Sequence, residues 1–175
     1  MLAKRKKALR IPGVDLLARL GVKPNHLTLL GLIIGVTAVF QEFTTGIILF
    51  SVAFLLDLLD GNLARRHELT THFGGVLDSV IDKLVEVLFI YYLAVKFSVQ
   101  TMGMLSIGLS ILISYVKHRA DLKIHSFFDR AERLIYLLLV ALFLSDLNQF
   151  ILAFNVYNLL CLGAITQLMV KSYES

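Results

Sequence analysis

The chain has 175 residues, of which 57% are hydrophobic and 17% charged, and its formal net charge is +4 at pH 7. Its mean hydropathy of +0.77 excludes an ordinary soluble domain, which would need polar residues on the solvent side of every helix. The single cysteine, Cys161, lies in an apolar run, so no intramolecular disulfide is predicted.

The first 23 residues interleave cationic and apolar side chains and predict an amphipathic juxtamembrane helix on a membrane surface. After Pro24, apolar runs recur that are long enough to cross a hydrocarbon core about 30 Å thick. We therefore predict an all-α integral membrane protein, with residues 1–175 forming a single domain. Its six transmembrane helices are expected at about 26–42, 46–66, 72–96, 101–119, 127–145 and 148–170.

The distribution of basic residues predicts the orientation of these spans. If both termini are cytoplasmic, the inner side receives the N-terminal cations, Arg65, Arg66 and the basic residues between Lys117 and Arg133. The outer loops then carry almost no positive charge. We expect a multi-pass protein of the cell membrane whose N- and C-termini and active site face the cytoplasm, with no nucleic-acid partner.

Four aspartates occur in two pairs in the second and third spans. Asp57 and Asp60 are spaced i, i+3, and Asp78 and Asp82 are spaced i, i+4, so each pair shares one helical face. A short turn around residues 67–71 makes the two helices antiparallel neighbours. Each carboxylate near a helix centre in a membrane costs roughly 2.5–3.5 kcal/mol, which a counter-charge must offset. Four oxygen ligands predict two divalent cations, Mg²⁺ or Mn²⁺, held by all four aspartates.

Two glycines and an arginine accompany the aspartates. Gly61 directly follows Asp60, and Gly74 faces it from the next helix, so a bulky group can approach the backbone closely. Arg65, one turn past Gly61, supplies a forked cation suited to a phosphate. The sequence therefore predicts a phosphate-bearing ligand beside the metal site.

This stretch resembles the signature of the CDP-alcohol phosphatidyltransferase family. It reads Asp57-x2-Asp60-Gly61-x2-Ala64-Arg65-x8-Gly74-x3-Asp78-x3-Asp82, and all eight fixed positions and all spacings agree. The resemblance implies an enzyme of phospholipid biosynthesis. In such enzymes an acceptor hydroxyl attacks the lipid-side phosphorus of a CDP-linked lipid, and CMP is released.

The resemblance also implies a role for each residue. Asp57, Asp60 and Asp78 match metal ligands, whereas Asp82 lies near the metals and matches the catalytic base for the acceptor hydroxyl. The CDP-lipid site is matched by six residues: Asn25, Thr28, Gly61, Ala64, Arg65 and Gly74. Similar enzymes form homodimers, which leaves a homodimer as a possible assembly.

A second polar cluster comprises Ser114–Asp121 and Asp129–Arg133. It resembles the acceptor-phosphate region of the family branch that uses inositol phosphate. Lys117 and Arg133 match the cations around the acceptor's phosphate, and Arg130 is a further candidate. A phosphorylated polyol requires such clustered, charge-assisted donors. The resemblance therefore implies inositol phosphate as the small polar acceptor.

Two alternatives remain open at this point. In the inositol-phosphate branch an arginine commonly follows a glutamine in the last span, whereas Leu168 follows Gln167 here, so glycerol phosphate is an alternative acceptor. A cation transporter is a more distant alternative, because intramembrane carboxylates also mark ion pathways.

Overall fold

The computed structural model describes residues 14–119 and 126–173, apart from the side chains of residues 16 and 17. Within these residues the secondary structure is entirely helical, which confirms the predicted all-α fold class. The described helices are α1 (Val14–Arg19), α2 (Pro24–Val39), α3 (Phe43–Arg66), α4 (His72–Lys96), α5 (Gln100–Arg119), α6 (Arg130–Phe143) and α7 (Leu147–Tyr173).

The helices are distributed over two compact units, the first ending at Val85 and the second beginning at Glu86. The first unit contains α1, α2, α3 and the first part of α4, and its most extensive helix packing joins α2 to α3. The second unit contains the rest of α4 with α5, α6 and α7, and its most extensive packing joins α5 to α7.

Small residues let α2 pack closely within the first unit. Gly31 and Gly35, spaced one turn apart, are both buried. A Cβ atom added at Gly31 would lie 3.6 Å from the carbonyl oxygen of Ala53 on α3, and one at Gly35 would lie 3.4 Å from the Val85 side chain on α4. Glycines at these two positions therefore let neighbouring helices approach the α2 backbone.

The turn between α3 and α4 is fixed mainly by the backbone. Glu68 has a positive φ of 57°, and the Leu69 N–H donates to the Ala64 carbonyl at 3.0 Å, as in a Schellman helix end. The next helix is capped by Thr71, whose Oγ1 accepts a hydrogen bond from the Gly74 N–H at 2.9 Å. These contacts fix where α3 ends and where α4 begins.

Helix α1 is the described part of the predicted juxtamembrane helix, and residues 1–13 of that prediction lie outside the described residues. The Val14 side chain is fully buried. The Asp15 carboxylate lies 2.7 Å from Arg66 Nη2 and 3.2 Å from His67 Nε2, at the end of α3. This short helix is thus attached to the chain segment that follows the predicted metal ligands.

Two of the described helices, Phe43–Arg66 and Leu147–Tyr173, are long and apolar enough to cross a membrane, and Pro24–Val39 is a shorter apolar helix. The helix bounds follow the predicted spans closely, and α4 agrees with the predicted 72–96 at both ends. The differences at single helix ends reach three residues. One of these is the start of α6, which begins at Arg130 instead of 127 because Ser126 and Phe127 before it donate hydrogen bonds to Gln167 on α7. The number of spans stays a prediction.

Candidate active site

Three of the four predicted metal ligands converge in the first unit. One carboxylate oxygen from each of Asp57, Asp60 and Asp78 lies within 4.8 Å of the other two. The first two side chains come from α3 and the third comes from α4, as the predicted turn requires. Asp82 does not join this group in the part of the chain that the structure describes, and its side chain is half-buried one turn further along α4.

The environment of Asp60 fits a metal ligand. This residue is only 2% exposed, and Thr28 Oγ1 donates a hydrogen bond to its Oδ2 at 2.6 Å. Its Oδ1 is also buried and has no hydrogen-bond partner among the described residues. A buried carboxylate oxygen without a donor is costly, and a divalent cation would remove that cost. A set of carboxylate oxygens suits a hard ion such as Mg²⁺ or Mn²⁺.

An open pocket adjoins this acidic group. It is lined by Asp60 and Asp78, and also by all six residues predicted for the CDP-lipid: Asn25, Thr28, Gly61, Ala64, Arg65 and Gly74. The structure therefore brings together residues from the head of α2, the end of α3 and the start of α4. The Arg65 guanidinium, which could bind a phosphate, therefore lies in the same pocket as the Asp60 and Asp78 carboxylates.

The two motif glycines keep this pocket open. A Cβ atom at Gly61 would lie 3.2 Å from Arg65 Nη1, and one at Gly74 would lie 3.1 Å from Asn25 Oδ1 and 2.9 Å from Thr71 Oγ1. Any larger side chain would displace the polar groups that line the pocket. The close approach of a ligand to these two glycines stays a prediction.

A second pocket lies within the second unit and is lined by the three residues that are predicted to bind the acceptor substrate. Its lining includes Lys117, Arg130 and Arg133, together with Ser114 and Asp129. Lys117 Nζ donates to both carboxylate oxygens of Asp129, at 2.9 Å each. Sequence reasoning did not identify Asp129 as the partner of this ammonium group, although a carboxylate beside a run of cations was a visible signal.

Arg133 lines the same pocket, but its guanidinium is 1% exposed and paired internally. Its Nε donates to Glu86 Oε1 at 2.8 Å and its Nη2 donates to Glu86 Oε2 at 3.3 Å. Its Nη1 donates to the Phe128 carbonyl at 3.1 Å, and Ser110 Oγ donates to Glu86 Oε1 at 2.9 Å. Arg133 therefore holds a buried carboxylate and a backbone carbonyl.

The Glu86–Arg133 pair was also missed by sequence reasoning. Glu86 lies one turn beyond Asp82 and is fully buried. A buried carboxylate requires a paired cation, so the need for a partner was visible in the sequence. The identity of that partner, Arg133, was not visible, because it lies 47 residues further along the chain.

Comparison with known proteins identifies a family. The sequence model of the CDP-alcohol phosphatidyltransferase family matches residues 22–166. Among curated proteins, the archaetidylinositol phosphate synthase of Pyrococcus horikoshii is 36% identical over 141 residues, covering 73% of each chain.

Solved structures agree with the fold. The phosphatidylinositol phosphate synthase of Mycobacterium tuberculosis with CDP-DAG bound has a TM-score of 0.77 at 24% identity, covering 93% of this chain and 92% of that one. The same enzyme in complex with manganese and citrate has a TM-score of 0.78 at 23% identity, covering 93% of this chain and 88% of that one. At this level of identity the likeness establishes the fold.

Proposed function

Because this chain belongs to the CDP-alcohol phosphatidyltransferase family, we propose that it transfers a phosphatidyl-type or archaetidyl group from a CDP-linked lipid to a hydroxyl of inositol phosphate, releasing CMP. The observation that carries this proposal is the pocket in the first unit. There the three converging aspartates adjoin all six residues that the family resemblance assigns to the CDP-lipid.

Two divalent cations, Mg²⁺ or Mn²⁺, are the proposed cofactors. Asp57, Asp60 and Asp78 would hold them, and the unpartnered Oδ1 of Asp60 supports this assignment. When bound, the cations neutralise the pyrophosphate and stabilise the charge that develops on the CMP leaving group. Thr28 would orient Asp60 through their hydrogen bond, in addition to lining the CDP-lipid site.

The CDP-lipid would be bound by the pocket's polar and glycine positions. Arg65 supplies a forked donor for a phosphate, and Asn25 supplies an amide at the head of α2. Gly61, Ala64 and Gly74 leave room for the nucleotide against the backbone.

Asp82 is the proposed catalytic base. In the transfer, the acceptor oxygen forms a bond to the lipid-side phosphorus, and the bond from that phosphorus to the CMP oxygen breaks. The acceptor's proton passes to the Asp82 carboxylate, a type of transfer that contributes typically 10²–10⁴-fold to rate. Its position outside the group formed by Asp57, Asp60 and Asp78 supports a base role over a ligand role.

The acceptor is proposed to bind in the pocket that contains Lys117, Arg130 and Arg133. Inositol phosphate is favoured because clustered cations suit a phosphate, and because a relative that is 36% identical is an archaetidylinositol phosphate synthase. Lys117 is the principal candidate, since its ammonium is partly exposed while the Arg133 guanidinium is buried.

The membrane arrangement is also proposed. The proposed arrangement has six spans in the cell membrane, cytoplasmic termini and an active site facing the cytoplasm, and the distribution of basic residues supports this orientation. A single functional domain is supported by a family match that covers both compact units. A homodimer remains a possible assembly.

The direct test is CMP release from CDP-linked lipids with diacyl or isoprenoid-ether chains. The purified protein in detergent receives Mg²⁺ or Mn²⁺ and inositol phosphate, glycerol phosphate or free inositol. Release that depends on metal and inositol phosphate supports the proposal, and release with glycerol phosphate alone favours the alternative acceptor. Absence of release with every combination would overturn the transferase function, and cation flux into proteoliposomes would then test the transporter alternative.

A further inference from the structure

A short non-helical segment, Ser126–Asp129, reaches the proposed acceptor pocket through its last residue, Asp129. It carries Asp129, whose two carboxylate oxygens both bind the Lys117 ammonium at 2.9 Å. The position of Lys117 in the pocket therefore depends on where this segment lies. What fixes the segment also fixes the main candidate cation for the acceptor's phosphate.

Gln167 on α7 binds this segment through a single side-chain oxygen. Its Oε1 accepts a hydrogen bond from the Phe127 backbone N–H at 3.1 Å and another from Ser126 Oγ at 3.3 Å. One turn earlier on the same helix, a Cβ atom at Gly163 would lie 3.3 Å from Phe127 Cζ. Two adjacent turns of α7 thus contact the segment, one through hydrogen bonds and one through the Phe127 ring.

Phe128, later in the segment, contacts residues of α6 and α7. The Phe128 carbonyl accepts from Arg133 Nη1 at 3.1 Å. Its ring packs edge-on against Tyr157 and Tyr136, with centroid separations of 5.5 and 6.2 Å. Gln167 therefore holds the start of the segment by hydrogen bonds to Ser126 and Phe127. Phe128, later in the segment, is held by the burial of its ring. Loss of those bonds would loosen the segment without removing the aromatic anchor.

We propose that Gln167 is a positioning residue of the acceptor site, which holds Ser126–Asp129 against α7 and thereby fixes the Asp129–Lys117 pair. This inference rests on the proposed function, because it assigns the Lys117 pocket to the acceptor. Gln167 does not line the pocket itself, so its effect reaches the acceptor only through the segment.

The experiment compares Gln167→Leu with Gln167→Glu. Leucine lacks the side-chain oxygen that accepts the two hydrogen bonds, whereas glutamate keeps an oxygen for both donors. Lys171, one turn further along α7, would offset the charge of the glutamate. We expect Q167L to raise the KM for inositol phosphate about tenfold, as loss of the two hydrogen bonds implies. The KM for the CDP-lipid should stay unchanged, and Q167E should restore the acceptor KM to within about twofold.

Thr166→Ala is the matched control on α7, because the Thr166 hydroxyl is exposed and donates to the Gly163 carbonyl of its own helix. Its kinetic constants should equal those of the parent chain. An acceptor KM that does not change in Q167L would overturn the inference. A parallel rise in both KM values, with Q167E failing to restore either, would also overturn it, because that is the signature of a general packing defect.

Gly163→Ala keeps the inference testable if Q167L fails to fold. The added methyl would push the Phe127 ring by a few tenths of an ångström, and we expect a rise of about twofold in the acceptor KM alone. Gly108→Ala, where an added Cβ atom meets nothing within 4 Å, is its control. If the parent chain releases no CMP, the proposed function fails. If the parent is active and neither Q167L nor G163A changes the acceptor KM, only the role of Gln167 fails.

Discussion

Thr28 on α2 and Asp60 on α3 are joined by a hydrogen bond of 2.6 Å that is buried in the first unit. Sequence similarity assigns the first to the CDP-lipid and the second to the metal, whereas the structure links the two. The Thr28 hydroxyl has one proton, and a carboxylate is a stronger acceptor for it than the Pro24 carbonyl at 3.2 Å. Thr28 thus orients a metal ligand while it lines the nucleotide pocket.

Thr28→Val should weaken metal binding. Valine has a similar shape but cannot donate, and loss of a partner that orients a ligand typically lowers metal affinity by 10–100-fold. We expect the Mn²⁺ concentration for half-maximal CMP release to rise about tenfold. Thr37→Val on the same helix is the control, because the exposed Thr37 hydroxyl donates to the Ile33 carbonyl of its own helix. Equal Mn²⁺ dependence in both variants would contradict the role of Thr28.

Asp57→Asn should have a larger effect, because it changes a proposed ligand directly. We expect the half-maximal Mn²⁺ concentration to rise about 100-fold and the maximal rate to fall as well. Titration of Mn²⁺ against CMP release measures both quantities. Glu42→Gln, an exposed carboxylate before the start of α3, should leave them unchanged. A D57N titration curve that overlays the parent curve would rule out ligation by Asp57.

Asp82→Asn separates the two roles that sequence similarity assigns to Asp82. If Asp82 is the base, its loss in D82N should lower kcat by about 10²–10⁴-fold. The affinity for the CDP-lipid and the Mn²⁺ dependence should equal those of the parent chain. Calorimetric binding of a CDP-lipid and steady-state kinetics measure these separately. Ser79→Ala is the control, since the Ser79 hydroxyl bonds to the Gly75 carbonyl within α4. A rise in the Mn²⁺ concentration for half-maximal CMP release in D82N would instead identify Asp82 as a metal ligand.

Lys117→Ala should raise the KM for a phosphorylated acceptor. A charge-assisted contact contributes about 1.5–3 kcal/mol, so we expect a rise of about 10–100-fold for inositol phosphate. The KM for the CDP-lipid should not change. Arg119→Ala, an exposed cation near the end of α5, is the control. If the acceptor KM is the same in K117A and in the parent chain, the acceptor phosphate binds elsewhere.

Arg133→Met tests the buried ion pair. Without its guanidinium, Glu86 is left as an uncompensated buried carboxylate, which costs about 3–5 kcal/mol. We expect a clear fall in Tm by thermal unfolding in detergent. The double variant E86Q/R133M, which removes the charge, should recover most of that loss. An unchanged Tm in R133M would contradict a stabilising role for the Glu86–Arg133 pair.

The sequence was most informative where function depends on local spacing. The i, i+3 and i, i+4 spacings of the aspartates predict shared faces, and the break at 67–71 predicts that α4 returns toward α3. Three of the four aspartates converge as those two features require. Asp82 is the exception, because spacing gives a residue's face but not which turn of the helix reaches the metal.

The pairings in the second unit could not be predicted, because they join residues distant in sequence. Phe127 and Phe128 extend the apolar run of α6 and so predicted an earlier helix start. In the structure they precede the helix, with Phe127 bound to α7 and Phe128 packed among tyrosines. Apolar character predicts that a side chain is buried, as that of Phe128 is, but it does not predict whether the backbone is helical.

The bend between α3 and α4 relies on main-chain hydrogen bonds and one threonine cap, and this has an evolutionary consequence. The side chains of Leu69 and Thr70 take no part in those bonds, and they line the pocket that contains Asp60 and Gly74. Relatives can therefore exchange these two pocket side chains while the acidic and glycine positions on either side keep their register. Such tolerance would allow one catalytic framework to adapt to different headgroup surroundings.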